Sequence, residues 1–392
     1  MKSSLENKTL FVVIDAFRWD YLTKENSPFL FRLKEKSIYV KKIKPSLGFC
    51  EISEFLTGTS PNKNKNFTQF NFSEESPYKK IKPLLNIANL IEKIVPNKKL
   101  IHRGLERILK FFGFRYLIYN IPFKVLNKIK PTEAERSYFE GGAFKVESIF
   151  DILDKREVDT ENFVEYNYIQ GDDEFRFRNL INKSKTKKFY IAYFGGLDGK
   201  GHKFGPGSRE IKEEVKKVDR YLQTISKRFV GFNIIFLGDH GMLEVKEYLN
   251  MGKKIEGICK RHKINPDKID VFLDSTIVRI NSKDKGTESI LKEEFKKMKG
   301  GKLLDKKDYG GIVWSINKGG MIYPDYFNFK KPRGMHGYRE ENYQKGLCII
   351  TGPRLKKKKI SEGNLIDVCP TLCDLLNIRY PKQNEGKSLL RN

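Results

Sequence analysis

Long apolar runs alternate with amphipathic stretches along this chain. TLFVVID (9–15) is apolar up to its final acid, and KFYIAYFGGLD (188–198) and GFNIIFLGDHG (231–241) likewise end in glycine and an acid. Continuous apolar runs are typical of strands buried on both faces of a parallel sheet. The 3.6-residue spacing in 208–229 predicts a crossover helix capped by Ser208. The pattern therefore predicts an α/β domain with a mostly parallel central sheet flanked by helices.

The same alternation continues on either side of these runs. Ser27 and Pro28 mark the start of a helix after the first strand, with Ser27 as the N-cap. DSTIVRI (274–280), GLCIITG (346–352) and IDVCPTLCDLLNI (366–378) extend the alternation toward the C-terminus. A chain of 392 residues is long enough for one large domain with insertions or for two domains.

One stretch departs from this organisation. Residues 79–130 contain thirteen Lys or Arg and only two acids, Glu92 and Glu106, together with the apolar, amphipathic runs 84–95 and 105–126. We predict a basic helical insert or cap at 76–139 within a catalytic domain formed by 1–75 and 140–392. Such a segment is suited to peripheral contact with an anionic membrane or to covering an acidic substrate, and it is equally suited to packing as a plain helical cap.

Composition adds few constraints on the partners. The net charge of +27 is compatible with nucleic-acid binding, but no recognised nucleic-acid motif accompanies it, so nucleic acid is disfavoured as a partner. Five widely spaced cysteines do not resemble a disulfide framework. With no signal-type or spanning apolar segment visible, the sequence predicts a cytoplasmic protein, with peripheral membrane contact left open.

Three of the five histidines lie in short motifs that also contain acids or glycine, at 195–206, 236–242 and 333–338. Together with the acid that ends the first strand, these motifs supply six donors suited to borderline divalent metals. The candidate ligands are Asp15, Asp198, His202, Asp239, His240 and His336. We expect Asp198 and His202 to bend onto one ion across a glycine-rich turn. Six donors are enough to hold two divalent ions, zinc or, as the alternative, manganese.

These motifs resemble, in order and over nearly the whole chain, those of the type I phosphodiesterase/nucleotide pyrophosphatase family of the alkaline phosphatase superfamily. Thr57-Gly58 and the closing segment 367–389 match further parts of its pattern. The resemblance implies an alkaline-phosphatase-like fold in which Asp198, His202 and His336 hold one metal. It implies that Asp15, Asp239 and His240 hold the other.

The nucleophile position departs from the family pattern. Where the family has Thr or Ser ahead of the Thr-Gly pair, an ungapped count places Gly48, which cannot attack phosphorus. A short shift offers Cys50 or Ser46, and Ser53 lies one turn further on. We favour Cys50, because a thiol beside cations and a helix N-terminus ionises readily; burial of an inert Cys50 and a metal-activated water remain open.

The resemblance implies a two-metal hydrolase of phosphate esters, of the phosphodiesterase/pyrophosphatase type, acting by in-line displacement. Asn71 is a candidate donor to a phosphate oxygen, and Arg18 and Lys200 are weaker candidates for an anionic substrate. Two alternatives remain at this stage. One is a phosphatase or phosphotransferase acting on lipid or glycan head groups, and the other is a non-catalytic basic binding protein that retains the metal site.

Overall fold

The computed structural model describes residues 8–95, 97–113, 118–132, 138–155, 160–162, 173–305, 309, 311–339 and 341–391. The chain divides into two compact units. The first unit comprises 1–65, 136–244 and 333–392, and the second comprises 66–135 and 245–332.

The strands alternate along the chain with the helices given below. Their bounds are β1 Thr9–Ile14, β2 Ile38–Lys44, β3 Phe70–Phe72, β4 Ile129–Pro131, β5 Thr160–Asn162, β6 Phe189–Phe194, β7 Asn233–Gly238, β8 Leu243–Glu244, β9 Glu247–Leu249, β10 Ile269–Leu273, β11 Ile277–Ser282, β12 Gly301–Leu304, β13 Ile312–Ile316, β14 Gly320–Ile322, β15 Gly334–Met335, β16 Gly346–Thr351, β17 Lys358–Ile360 and β18 Gly363–Asn364.

The α-helices range from single turns to a twenty-residue helix. Their bounds are α1 Pro28–Leu33, α2 Glu51–Thr57, α3 Pro61–Asn64, α4 Lys82–Ile94, α5 Lys98–Phe111, α6 Phe123–Leu126, α7 Ile149–Lys155, α8 Asp173–Asn182, α9 Gly196–Phe204, α10 Arg209–Arg228, α11 Met251–Arg261, α12 Lys285–Lys297 and α13 Val368–Leu376.

The first unit is built on an eight-stranded sheet with the order β17-β2-β16-β7-β1-β6-β5, and β18 also pairs with β2. The strands β5, β6, β1 and β7 run parallel, and β16 runs antiparallel to both of its neighbours, β7 and β2. The predicted α/β class with a mostly parallel central sheet is confirmed. The continuous apolar runs follow from burial on both faces, since all six residues of β1 are buried.

Each face of this sheet has its own core. Leu10, Val12 and Ile14 of β1 pack in one cluster with residues of α1 and α10. Phe11 and Val13 belong to the opposite cluster, which includes residues of α2, α7 and α13. This is the period-two alternation of a strand, and both sides of it are apolar because helices cover both faces. The centre of the sheet is therefore fixed from both sides.

The second unit has a four-stranded antiparallel sheet of order β10-β11-β13-β12 and two small two-stranded pairings, β3 with β4 and β9 with β14. A separate apolar core joins α4, α5 and α6 to β3, β4 and Phe272 of β10. Helices α4 and α5 confirm the helical character predicted for the basic stretch. The structure groups 66–135 with 245–332, whereas the sequence placed an insert at 76–139 in one catalytic domain. That functional division stays a prediction.

Two further observations concern the setting of the chain. Within the described ranges, no helix is long and apolar enough to cross a membrane. No disulfide bond joins any of the five cysteines, all of which are described and buried.

Helix α1 is anchored to α10 by a buried acid. Ser27 is the N-cap residue as predicted, but its hydroxyl donates to the Tyr21 carbonyl oxygen rather than capping the helix. The Asp219 carboxylate caps it instead, accepting from the backbone amides of Phe29 (2.8 Å) and Leu30 (3.0 Å). This contact holds the segment that follows β1 and Asp15.

We expect Asp219→Ala to lower the free energy of unfolding by about 1 to 2 kcal/mol, because two amides at the start of α1 lose their acceptor. Chemical denaturation measures the change. The control is Arg220→Ala, a truncation of the exposed neighbour on the same helix, for which a change within about 0.5 kcal/mol is expected. Equal losses in the two variants would contradict the capping role.

Candidate metal centre

Three adjacent parallel strands bring acids to one edge of the sheet. The register pairs Ile14 with Phe194 and Val13 with Leu237, so β6, β1 and β7 end side by side. Asp15 follows β1 directly, Asp239 follows β7, and α9 begins two residues after β6. The carboxyl edge of a parallel sheet is the usual ligand-binding edge in α/β proteins. The predicted convergence of strand-end acids is therefore present.

Asp198 and His202 lie one turn apart on α9, with Asp198 Oδ1 at 3.2 Å from His202 Nε2. The expectation of a glycine-rich turn here is wrong, since 196–204 is helical. The helix begins against Asp173, whose carboxylate accepts from the amides of Gly195 (3.0 Å) and Gly196 (2.8 Å). Gly201 is needed for packing, because a Cβ there would lie 2.4 Å from the Met242 sulfur.

The three histidines of the motifs share one hydrogen-bonding arrangement. The Nδ1 of His202 lies 2.8 Å from the Gly334 carbonyl oxygen, and the Nδ1 of His240 lies 2.8 Å from that of Gly241. Because a carbonyl oxygen only accepts, each Nδ1 must carry the proton. His336 Nδ1 lies 3.3 Å from Glu51 Oε1, again an acceptor when ionised. When these imidazoles are neutral, each Nε2 therefore carries a lone pair. Histidines that bind a metal are held in the same way, because the ring nitrogen that does not bind the metal donates to a carbonyl or carboxylate oxygen.

These Nε2 atoms face carboxylate oxygens. His240 Nε2 lies 2.8 Å from Asp15 Oδ1, and His336 Nε2 lies 4.0 Å from Asp198 Oδ1. The His240 and His336 rings stack with centroids 3.9 Å apart. A lone pair facing an anionic oxygen is repulsive unless a cation or a proton lies between them. The donor set thus fits divalent cations, and the buried Asp198 Oδ1, which accepts no hydrogen bond from any described residue, points to the same conclusion.

Among the described residues, three groups of side chains each have all their donor atoms within 4.8 Å of one another. The first joins Asp198, His202 and His336, which is the set that the resemblance implied for one metal. The second contains Asp15 and His240 of the other implied set, with Asp198 completing it. The third introduces a residue that the sequence interpretation missed, Glu51, together with His240 and His336. Only its position directly after Cys50 marked Glu51 in the sequence.

Asp239 lies beside these donors but in a different environment. Its Oδ1 accepts from the amides of Ala16 (3.2 Å) and His240 (2.9 Å), and the residue is almost fully buried. Asp15 is positioned by Tyr193 of β6, whose hydroxyl donates to Asp15 Oδ2 at 2.6 Å. Tyr193 was also missed, because its only sequence signal is its place near the end of a buried strand.

Burial and mutual charge shift several pKa values in this centre. Burial raises the pKa of the Asp198 carboxyl, but the facing His202 and the two other imidazoles lower it more, so it stands below its usual range. Burial raises the pKa of Asp239 well above its usual value, and neighbouring Asp15 and Glu51 add to the rise. Burial lowers and Asp198 raises the pKa of His202, with a net rise. Burial lowers the pKa of His240, but Asp239 and Asp15 raise it more, so positive charge is favoured on His202 and His240. Burial and the charge of His240 instead lower the pKa of His336.

The candidate nucleophiles lie in the loop that leads into α2 and in the first turn of α2, and we call this segment (45–54) the nucleophile loop. Cys50 is the N-cap residue of α2, is buried, and has its sulfur 3.9 Å from the Leu47 carbonyl oxygen and 4.0 Å from Glu54 Oε2. The Ser46 hydroxyl donates to Glu54 Oε1 at 2.5 Å. The Ser53 hydroxyl donates to the Cys50 carbonyl oxygen at 2.8 Å. Burial raises the Glu54 pKa to about 8, although bonds from Ser46 oppose the rise.

The remaining candidates have other surroundings. Arg18 pairs with Asp20 through two nitrogens and donates to the Met242 carbonyl oxygen. Lys200 Nζ donates to Glu214 at 2.6 Å. Asn71 lies on β3 of the second unit. A substrate contact for Asn71 stays a prediction.

Comparison with known proteins agrees with this fold. The family model described as type I phosphodiesterase/nucleotide pyrophosphatase matches residues 9–340. Ectonucleotide pyrophosphatase/phosphodiesterase family member 7 of Mus musculus is 24% identical over 358 residues, which cover 89% of this chain and 68% of the relative. The corresponding protein of Rattus norvegicus is 25% identical over 412 residues, covering 97% and 85%.

A solved structure has the same fold. Murine ectonucleotide pyrophosphatase/phosphodiesterase 5, as an inactive variant in complex with AMP, superposes with a TM-score of 0.68 at 16% identity, covering 96% of each chain. The alkaline-phosphatase-like α/β fold expected from the motifs is confirmed. The chain belongs to the type I phosphodiesterase/nucleotide pyrophosphatase family.

If Asp15 is a metal ligand oriented by Tyr193, Tyr193→Phe should weaken metal binding at that position by about 10- to 100-fold, as loss of such outer contacts typically does. Metal affinity is measured by competition with a chelator of known affinity. Tyr190→Phe is the matched control on the same strand, since its hydroxyl donates to the Ser184 carbonyl oxygen at 2.7 Å. An equal loss of affinity in both variants would show a general effect of loosening β6.

Proposed function

We propose that this protein is a metal-dependent hydrolase that cleaves phosphodiester or pyrophosphate bonds in a nucleotide or a similar small phosphate ester. The observation that carries the proposal is the cluster of three imidazoles, each presenting Nε2 to a carboxylate-rich centre at the carboxyl edge of the sheet. Family membership supports the reaction class. The AMP in the complex of the murine protein 5 supports a nucleotide as the small-molecule partner.

The cofactor we propose is a pair of divalent ions, zinc or alternatively manganese. Asp198, His202 and His336 would hold one. Asp15, His240 and Asp239, whose Oδ1 accepts from the amide of His240, would hold the other. The nitrogen-rich donor set favours borderline metals over magnesium or calcium. Bound there, the ions would neutralise charge that develops on the phosphoryl oxygens during in-line displacement.

Glu51 extends the donor set from the nucleophile loop. It lies at the first position of α2, and its Oε1 approaches His336 Nδ1 at 3.3 Å. A carboxylate at this place can either orient His336 or bind a cation directly. In both roles it joins the loop to the metal centre.

Cys50 remains our proposed nucleophile. Glu54 Oε2, at 4.0 Å from the sulfur, is placed to take the thiol proton, and the raised pKa of Glu54 suits a general base near neutral pH. Attack by sulfur on phosphorus would release the leaving alcohol or phosphate and form a thiophosphate ester that water then hydrolyses. Ser46 lies on the same carboxylate, so the same base serves the competing hydroxyl. Ser53 is the weakest candidate, because its hydroxyl donates to a backbone carbonyl and also accepts from Asn64.

The other functions drawn from the sequence are not favoured by the comparisons. The relatives carry the names of phosphodiesterases and pyrophosphatases rather than of lipid or glycan phosphotransferases or of binding proteins. A cytoplasmic location is also a proposal, and five cysteines without a disulfide bond are compatible with it.

Metal content and activity are tested together. Protein purified without chelator should contain about two divalent ions per chain by elemental analysis, and chelation should abolish hydrolysis. The substrate screen uses aryl phosphodiesters, dinucleoside pyrophosphates, phosphomonoesters and sulfate esters on metal-reconstituted protein. We expect turnover of the first two classes. Full activity of metal-free protein would contradict the proposal, as would a preference for monoesters.

The nucleophile is tested by four variants assayed in parallel. Cys50→Ala should lower kcat by orders of magnitude with metal content unchanged, and Cys50→Ser should retain a fraction of the activity. Ser46→Ala and Ser53→Ala are the controls that keep the thiol. Full activity of Cys50→Ala with loss in Ser46→Ala would assign the role to Ser46. Activity in all of these variants would show that none of these side chains attacks phosphorus.

Glu51 is tested by Glu51→Gln, which keeps the size of the side chain and removes the charge. A cation ligand predicts weaker metal binding by about tenfold or more. Glu385→Gln is the control for removing a carboxylate, since Glu385 accepts from Ser60 at an exposed position of the same unit. Unchanged metal affinity in Glu51→Gln would show that Glu51 contacts His336 without contributing to metal binding.

A further inference from the structure

Exposed apolar side chains concentrate on two neighbouring helices of the second unit. Among the described residues, eight of the twelve large apolar side chains that are exposed belong to α4, α5 and the residue that ends α5. They are Ile87, Leu90, Ile91, Ile94, Leu100, Ile108, Phe111 and Phe112. Phe111 and Phe112 are 85% and 77% exposed. We call α4, its connection and α5 up to Phe112 the basic hairpin (82–112).

The exposed residues form stripes. On α4 they follow the spacing i, i+3, i+4, i+7 from Ile87 to Ile94, which places them on one side of the helix. On α5, Leu100, Ile108 and Phe111 share one side in the same way. A regular stripe differs from the scattered exposed apolar residues that any soluble surface contains.

These stripes are not the faces by which the helices pack in the second unit. Leu85 and Ala88 of α4, and Leu105 and Leu109 of α5, are buried in its core. His102 is also buried, with its ring stacked on Phe123 at a centroid distance of 4.4 Å. Each helix therefore has one apolar face in the core and a second one exposed.

The exposed charges of the basic hairpin are predominantly positive. Both of its acids are turned toward partners: Glu92 pairs with His102 at 3.3 Å, and Glu106 accepts from the amides of Ile118 and Tyr119. The seven basic residues include the exposed Arg103 and Arg107. The full set is Lys82, Lys93, Lys98, Lys99, Arg103, Arg107 and Lys110. On α5, helical spacing puts Arg103 and Arg107 next to the apolar stripe.

We propose that the basic hairpin docks on an anionic lipid membrane, with its exposed apolar stripes in the acyl boundary and its basic residues on lipid phosphates. A lipid surface is the partner that offers an apolar layer and anionic groups side by side. Nucleic acid supplies phosphates but no apolar layer for Ile94 or Phe111. A second copy of the chain supplies apolar stripes but brings the same positive charge to them.

The inference is independent of hydrolysis. It uses no residue of the metal centre, so docking is measurable on protein that has no activity, and activity is measurable on protein that does not dock. Loss of one leaves the other untouched.

The test is co-sedimentation of the full chain with vesicles of phosphatidylcholine alone and of phosphatidylcholine mixed with phosphatidylserine. We expect binding to the anionic vesicles only. Raising the salt to about 1 M, where the screening length falls from about 10 Å to about 3 Å, should release much of it. Equal binding to both vesicle types, or binding to neither, overturns the proposal.

Two variants locate the contact. Arg103→Gln with Arg107→Gln should weaken partitioning about fivefold for each charge removed. Phe111→Ser with Phe112→Ser should weaken it about tenfold or more, because two aromatic side chains lose an apolar environment. The matched controls lie on the first unit, Lys356→Gln with Lys357→Gln for charge and Val230→Ser, 73% exposed, for apolar surface.

Thermal unfolding of each variant separates folding from docking. All four positions of the test variants are exposed, so the melting temperature should stay within a few degrees, about the shift that small surface changes cause. Equal weakening by the control variants would place the contact elsewhere and overturn the proposal. So would a parent protein that is dimeric by light scattering, becomes monomeric in Phe111→Ser with Phe112→Ser, and binds no vesicles.

Discussion

The burial of several carboxylates at one point is the constraint on which the first unit depends. Asp15, Asp198, Asp239 and Glu51 are mostly or fully removed from water, and three imidazoles lie beside them, each with its Nδ1 directed at an acceptor. If all four carboxylates ionise, their charge of −4 equals what two divalent cations neutralise. Without cations, the carboxylates of such a cluster would have to bind protons or repel one another at close range. The centre is therefore built for strongly bound positive charge.

The order of the strands in the sheet brings these carboxylates together, and for that reason most of the centre could be predicted from the sequence. Strands β6, β1 and β7 are parallel neighbours in register, so acids placed directly after β1 and β7 must lie near each other. Apolar runs that end in an acid are visible in a sequence, and the six candidate ligands were predicted from them and from the histidine motifs. The α/β class followed from the same runs, because only strands covered on both faces are apolar throughout.

Features that depend on distant partners were not readable. The glycines around Asp198 suggested a turn between Asp198 and His202, yet the carboxylate of Asp173, at the start of α8, accepts from the amides of Gly195 and Gly196 where α9 begins. Glu51 was hidden because the loop was judged for hydroxyl and thiol groups, and only the fold brings its carboxylate to His336. In the basic hairpin, the sequence shows apolar stripes but not which of them Phe123 and its neighbours bury.

The nucleophile loop is the place where family pattern and structure have to be weighed against each other. Gly48 removes the expected hydroxyl, which alone would favour a protein that keeps the metal centre without chemistry. The loop is nevertheless tightly organised. Glu54 is 1% exposed and accepts from both the amide and the hydroxyl of Ser46, with the Cys50 sulfur at 4.0 Å.

Placing a carboxyl with a pKa near 8 beside a thiol and a hydroxyl is unfavourable for stability, because burial opposes its ionisation. A purely structural loop could be closed by apolar residues at lower free energy. Proton transfer from a nucleophile requires a base within reach, and Glu54 is such a carboxyl, with a pKa of about 8. The geometry of the loop therefore supports our proposal of a substitute nucleophile.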